Sequence, residues 1–293
     1  MTLAEPIPTM TVSQWAGQRV ALLTRHQKLD LIAPALGSVG LDLLLTDAFD
    51  TDTLGSFAGD IRRTLSPVAC ARQKAQLAAE LTGCRFGLGS EGSFGGGPLP
   101  GLVNWDEEIL VLHDSLTNID IVASAAGPVP LTSIELSDLS ELSAKLAKFP
   151  LTQGWMLHLN GQWHKGLVGA DAIQSTLIKE GIKEGITQGI SIQPNTKIEL
   201  TPDLRAMHCP PRQDYIRRAA EQLAQRLQAA CPRCDSANFW QTAAEYGLPC
   251  MACGTPTSQL KTVIKCCQVC GHQEHTAVVD AFAEPEHCPV CNP

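Results

Sequence analysis

Nowhere in these 293 residues does an apolar run approach the roughly 18 consecutive residues that a membrane-spanning helix needs. Met1 to Val12 hold no Lys or Arg and no apolar core run, so they lack the marks of a secretory signal, and a cytoplasmic protein is expected. Basic charge is scarce: 22 Lys and Arg stand against 30 Asp and Glu, a formal charge of −8. The shortfall is sharpest from Cys231 onward, where Arg233, Lys261 and Lys265 face six acidic residues. Nucleic-acid affinity rests mainly on Lys and Arg neutralising phosphates, so that segment is not expected to hold DNA or RNA. No repeat is visible before Cys231.

Cysteine, by contrast, is plentiful and unevenly placed. Cys70, Cys84 and Cys209 are scattered, while nine of the 12 cysteines lie from Cys231 onward. An oxidised scaffold would spread its cysteines as long-range staples. Here eight of them form C-x-x-C pairs, which points to metal. The pairs are Cys231 with Cys234, Cys250 with Cys253, Cys267 with Cys270, and Cys288 with Cys291. A tight turn between two cysteines aims both sulfurs at one ion, and two such turns complete a tetrahedral S4 site. The segment is therefore expected to bind two structural zinc ions. The gaps at 235–249 and 271–287 suit zinc ribbons. Sequential pairing, first with second and third with fourth, is the simplest arrangement; a cross-braced pairing is the alternative. Cys266 competes with Cys267 as a ligand, whereas His272, His275 and His287 are expected on the surface. Phe239, Trp240 and Tyr246 are expected to fill the small first hairpin. Each zinc held by four thiolates adds about two negative charges, so a docking partner of this segment is expected to be a protein.

Earlier in the chain, apolar runs at 19–24 and 41–46 flank a helical pattern at 28–36, a βαβ unit with parallel strands. Residues 47–61 read as a loop. Ser66-Pro67 opens a helix that runs to about residue 81 and stops before Gly83. A strand at 85–90 then empties into Glu91-Gly92-Ser93-Phe94-Gly95-Gly96-Gly97, expected to be a flexible connection. Residues 108–113 and 118–123 form an antiparallel pair. Asp138 and Glu141 resemble a capping box, and Asn160-Gly161 signals a hairpin. A helix at 170–183 and a strand at 197–200 follow. After Pro210-Pro211 a helix aligns Ile216, Ala220, Leu223 and Leu227 on one face. The expected fold is α/β, a mixed sheet with flanking helices over residues 17–230. It follows a loose segment at 1–16 and precedes two small four-cysteine zinc ribbons at 231–293.

The order of features from Gln18 to Gly127 resembles the inosine-triphosphatase and Maf superfamily of nucleoside triphosphate pyrophosphatases. Thr24-Arg25-His26-Gln27-Lys28 follows the first strand, where that family carries a T/S-x-N-x-x-K phosphate loop. Cys70-Ala71-Arg72-Gln73-Lys74-Ala75 matches the helix motif N-A-x-x-K-A, and Ser90-Glu91-Gly92-Ser93 follows the next strand. Arg205 and the 215–227 helix resemble the family's closing segment. Departures are His26 for Asn, Lys28 one residue early, Cys70 for Asn, and one acid, Glu91, where a pair is usual. The whole arrangement is also similar to a bacterial family with tandem C-terminal ribbons and no assigned activity.

The first resemblance implies an Mg-dependent nucleotide pyrophosphohydrolase. In it Lys28, Lys74 and Glu91 would be catalytic, and Thr24, His26, Arg72 and Ser93 would bind the nucleotide. Lys28 and Lys74 would meet phosphate oxygens, and Glu91 with Asp50 or Asp52 would hold the metal. The alternative is a non-enzymatic adaptor that docks a protein through its zinc segment.

Overall fold

A computed structural model describes residues 10–24, 27–49, 65–95, 97–98, 103–136, 139–159, 161–180 and 198–293. The chain divides into two units, one of residues 19–38 and 42–223, the other of residues 1–18, 39–41 and 224–293.

The larger unit carries two sheets. β1 (Arg19–Leu23) is a run of four buried residues after Arg19, and it pairs in parallel with β2 (Asp42–Thr46). α1 (Leu29–Gly37) joins them and buries Ile32 and Leu36. β3 (Phe86–Phe94) lies on the other side of β1, also parallel, with Val20 opposite Phe86 and Leu22 opposite Leu88. β4 (Trp105–Asp114) and β5 (Ile119–Pro128) continue the sheet antiparallel, giving the order β2-β1-β3-β4-β5. The mixed sheet with flanking helices is thus present, its parallel part confined to three strands.

α2 (Pro67–Thr82) leads into β3. The Ser66 hydroxyl accepts from the Ala69 amide, Pro67 occupies the first turn, and Gly83 caps the other end at φ 69. Its inner face is Ala71, Ala75, Ala78 and Ala79, all buried. Small residues recur opposite, because a Cβ at Gly87 would overlap the Ala75 carbonyl and one at Gly89 the Ala71 carbonyl. Helix and strand backbones therefore meet without side chains between them. Ala71 and Ala75 pack with Ile109 and Val111 of β4, while Ala21 and Leu23 of β1 pack with Ala78. Residues 91–94, expected to be flexible, continue β3: Glu91 pairs with Ile109 and Phe94 with Asp106.

The second sheet has the order β6-β9-β7-β8 and is wholly antiparallel, from β6 (Ile134–Leu136), β7 (Gly154–Leu159), β8 (Gln162–Val168) and β9 (Ile198–Pro202). Leu159 pairs with Gln162, and Gly161 has φ 77; Asn160 and Asp138 lie outside the described residues. α3 (Leu142–Leu146) and α4 (Gly169–Lys179) supply Leu142, Ile173 and Leu177 to a core around Trp155 and Leu157. Residues 210–223 of α5 (Pro210–Gln228) complete this unit.

The smaller unit is built on three antiparallel strands, β10 (Trp240–Tyr246), β11 (Leu260–Cys266) and β12 (Gln273–Ala277). Phe239 is buried with Cys231 and Cys267, as expected, but Tyr246 is 67% exposed and fills no interior. No described helix is long and apolar enough to cross a membrane.

The helix–strand approach sets a test. Gly89→Ala should lower unfolding free energy by about 1–3 kcal/mol or more, because two backbones must separate. Gly37→Ala, with no atom of the described residues within 4 Å of the added carbon, should change it by less than about 1 kcal/mol in the same urea titration.

Candidate functional site

The four cysteine pairs form two groups. Cys231, Cys234, Cys267 and Cys270 make one, and Cys250, Cys253, Cys288 and Cys291 the other; within each, all sulfurs lie within 4.8 Å of one another. The pairing is the cross-braced alternative rather than the simpler sequential one, and strand length explains why. The first pair precedes β10 and the third follows β11, and Trp240 lies opposite Cys266, so both sit at one end of the hairpin. The second pair lies in the β10–β11 connection, beyond Tyr246 and Leu260. A strand of this length spans about 20 Å, which separates first from second. β12 then runs back from Gln273, opposite Cys266, to Ala277, opposite Thr262, and returns the chain toward the second pair.

Each pair is built by the same turn. The amides of Asp235, Gly254, Gly271 and Asn292 donate to the carbonyls of Cys231, Cys250, Cys267 and Cys288 at 2.8–3.0 Å. Three of those donors have positive φ: Asp235 at 58, Gly254 at 74 and Gly271 at 70. Amides also reach the sulfurs, Val269 to Cys267 and Ala252 to Cys250, both at 3.4 Å. The Ser236 hydroxyl lies 3.1 Å from Cys267 Sγ and 3.2 Å from Cys234 Sγ. Such contacts stabilise thiolate. The Thr255 hydroxyl and amide pull the Cys253 thiol down to about 6. Cys267, not Cys266, joins the first group. His272 instead stacks on Phe239 at 5.7 Å, and His275 and His287 face Glu245 and Glu286. Four sulfurs, with no further donor among the described residues, are the arrangement of a structural metal site.

A second cluster lies in the larger unit, where β3 passes the carboxyl end of β1. The chain leaves β1 toward β2 and returns to β3 on the opposite side, so the strand order reverses there. Such switch points open a crevice at the strand ends in α/β sheets. Alternation along β3 sends Glu91 to the face of Gly87 and Gly89, which meets α2. There the Lys74 ammonium donates to Glu91 Oε2 at 2.6 Å and the Cys70 thiol to the same oxygen at 3.1 Å. Lys74 and Glu91 are both buried.

Ser90 and Gly92 point the other way, with Asp106 and Glu108 of β4. On this face the Lys28 ammonium donates to Ser90 Oγ at 2.9 Å and to Glu108 Oε2 at 3.3 Å. Arg212 of α5 donates through Nε to Glu108 Oε1 and through a terminal nitrogen to the Leu204 carbonyl at 2.6 Å. Gly92 makes room for this pair, since a Cβ would overlap both Arg212 and Glu108. Burial pulls the Lys28 ammonium down to about 8, Arg212 and Lys74 adding to this while Glu108 and Glu91 oppose it. Lys28 and Lys74 thus flank β3 and feel one another across it.

Asp106 is fully buried, and neither carboxylate oxygen makes a hydrogen bond of normal geometry with a described residue. Burial pushes its pKa up to about 7, with Glu108 adding to the shift and Arg212, Lys28 and the Glu107 amide opposing it. Burial likewise pushes the nearby Cys209 thiol up to about 12, which keeps it an unreactive thiol.

Of the residues singled out from sequence, Lys28, Lys74 and Glu91 gather at β3, on two faces of it. Thr24 is buried at the end of β1, its amide bonded to the Thr46 carbonyl at 3.3 Å. Ser93 is half-buried on β3 opposite Glu107. Arg72 points outward from α2 and pairs with Asp120, which also holds His113 Nδ1 at 2.8 Å. Arg205 pairs with buried Asp203 at 2.6 Å. His26, Asp50 and Asp52 lie outside the described residues. Asp106, Glu108 and Arg212 join the cluster without having been expected there. Alternation from Leu110 and Leu112 back through Glu108 to Asp106 is the available signal, as is the spacing of Arg212 four residues before Ile216.

The Asp106 carboxyl sets a pH test. Its folded pKa lies above the unfolded value, so the folded state binds the extra proton between about pH 4 and 7 and stability falls as pH rises through that window. Asp106→Asn should therefore raise the unfolding free energy at pH 8, by an amount on the order of a few kcal/mol. Near pH 4 it should change little, as paired urea titrations would read.

Residues 74–293 match the family described as domain of unknown function DUF6671, and the chain belongs to that family. The matched span holds Lys74, Glu91, Asp106, Glu108, Arg212 and all eight grouped cysteines. No curated protein and no solved structure matches the chain.

Proposed function

We propose that this is a two-zinc protein, each ion held by one four-cysteine group, whose α/β unit hydrolyses a phosphoanhydride of a nucleoside triphosphate. The zinc reading rests on the sulfur spacing. Cys231–Cys270, Cys234–Cys267, Cys253–Cys288 and Cys250–Cys291 are 3.7, 3.6, 3.6 and 4.0 Å apart. A tetrahedron with Zn–S bonds of about 2.3 Å has edges of about 3.8 Å. Four soft thiolates in that geometry favour zinc over hard cations. The ions would supply folding energy to a unit with few buried apolar side chains.

The hydrolase reading is supported by the resemblance to the inosine-triphosphatase and Maf superfamily and by the company Lys28 and Lys74 keep. Two buried ammonium groups and the Arg212 guanidinium surround one short stretch of β3 at a switch point. Phosphate oxygens could replace the carboxylates that these cations now hold, and the same charges would stabilise a phosphoryl group under attack. Glu91, released from Lys74, would orient the attacking water. Glu91 and Glu108, as they are paired, offer a magnesium ion no oxygen that is not already accepting a hydrogen bond. The carboxylate oxygens of Glu91 and Glu108 accept from Lys74, Cys70, Gly92, Lys28 and Arg212. Magnesium needs oxygen ligands free of competing cations. Cations of the chain itself carry the charge stabilisation in this reading.

A second reading, a docking role for the zinc unit, is favoured by its acidity and exposed apolar side chains.

Two experiments bear on these readings. Elemental analysis of reduced full-length protein should return two zinc atoms per chain, about one in Cys253→Ser and two in Cys266→Ala; wild type well below one would end the zinc reading. Pyrophosphate or phosphate release should be measured on a panel of nucleoside triphosphates, inosine and xanthosine forms included, with and without magnesium or manganese. Turnover of at least one member is expected, lost in Lys28→Ala and Glu91→Gln at unchanged zinc content. No turnover of any member by the wild type ends the hydrolase reading.

A further inference from the structure

The group of Cys250, Cys253, Cys288 and Cys291 is the more open of the two: Cys253 and Cys291 are exposed, against Cys234 alone in the other. Around it large apolar side chains face solvent. Met251 lies inside the second cysteine pair and Val290 inside the fourth, and they are 58% and 64% exposed. A third chain segment runs beside them. Cys250 forms a parallel bridge with Ala283, the Met251 amide donates to the Ala283 carbonyl at 2.9 Å, and the Ala283 amide donates to the Pro249 carbonyl at 2.8 Å. That register holds Phe282, 58% exposed, next to the second pair, and Val279 three residues before it is fully exposed. A fixed backbone presenting Met, Phe and Val to water is not what folding alone selects. Ala283 and Cys288 are buried and fulfil the packing role there. Several large apolar side chains held exposed on neighbouring backbone segments mark an interaction site.

Charge states what would cover it. From Cys266 to Pro293 there is no Lys or Arg, and Asp280, Glu284 and Glu286, all outward-facing, flank Phe282 and the fourth pair. Two thiolates beyond the charge of each bound zinc would add to the negative field. Acidic residues this close in sequence to exposed apolar ones, with Lys261 beside Val278 as the neighbouring cation, disfavour nucleic acid, anionic membrane surfaces and acidic peptides alike. They attract cations and steer their approach.

We infer that the face formed by Met251, Phe282 and Val290 docks a basic protein segment, one in which an aromatic or long aliphatic anchor is flanked by Lys or Arg. The anchor would sit among the three apolar side chains, and the flanking cations would pair with Asp280, Glu284 and Glu286. This rests on the docking reading of the zinc unit.

The test uses full-length, zinc-loaded protein and three labelled dodecapeptides in fluorescence anisotropy. One has a central Trp-Leu pair flanked by Lys and Arg, one has the same pair flanked by Glu, and one keeps the basic residues with Ser at the centre. The first should bind at least tenfold more tightly than either other peptide and weaken as salt is raised. Phe282→Ser and the double variant Glu284→Lys/Glu286→Lys should each weaken it at least fivefold while zinc content stays at two. Amide shifts on titration should cluster at residues 249–253 and 278–291. Equal binding of the acidic peptide, unchanged affinity in both variants, or no binding of the first peptide by protein with full zinc content would overturn the inference and leave the zinc sites standing. Tighter binding of polyuridine RNA or of phosphatidylserine vesicles than of the basic peptide would overturn it as well.

Discussion

The close approach of α2 to β3 is the constraint on which the α/β unit depends. With Gly87 and Gly89 facing Ala71 and Ala75, helix and strand share no layer of large side chains between them. This rigid seam carries Cys70 and Lys74 to Glu91 on one side of the strand. The other side is left to Ser90 and Gly92, so that Lys28, Glu108 and Arg212 can close over it. The stretch of β3 from Gly89 to Gly92, without a bulky apolar side chain, thus serves as the floor for charged groups approaching from the start of α1, from α2, from β4 and from α5.

Those charges are expensive to bury, and the network shows how the cost is contained. Glu91 and Glu108 each accept from at least one cation, and Arg212 finds a backbone carbonyl for a remaining nitrogen. Breaking one partner out of such a buried set typically costs about 3–5 kcal/mol, because the survivor is stranded. Asp106 stands outside the pairing, and the unit accommodates it by raising its proton affinity instead. A fold maintained only for stability would gain from an apolar residue there.

How much of this is legible in the sequence depends on whether local chemistry decides the outcome. Ser66-Pro67 and Gly83 announce both ends of α2 because caps are local, and the βαβ order follows from apolar runs. Gly92 misleads, since small residues serve either flexibility or close approach and composition does not separate the two. Gly92 belongs to the second class. Arg212 is easily passed over although its spacing to Ile216 puts it on the buried face of α5; a charged residue on an apolar stripe is a signal in itself. The cysteine pairing turns on β12, a strand with every residue exposed and therefore no alternation to reveal it. Without that strand the fourth pair has no reason to return to the second.

Interleaving the ligands has a consequence for integrity of the chain. Each metal would join one cysteine pair from before Thr255 to one from after Cys266. A protease cut between those two residues would sever the backbone yet leave both fragments clasped at two points. Side-by-side pairing would have let such fragments drift apart. The smaller unit is in this sense stitched rather than strung, and a nick there would pass unnoticed until the ions were taken away.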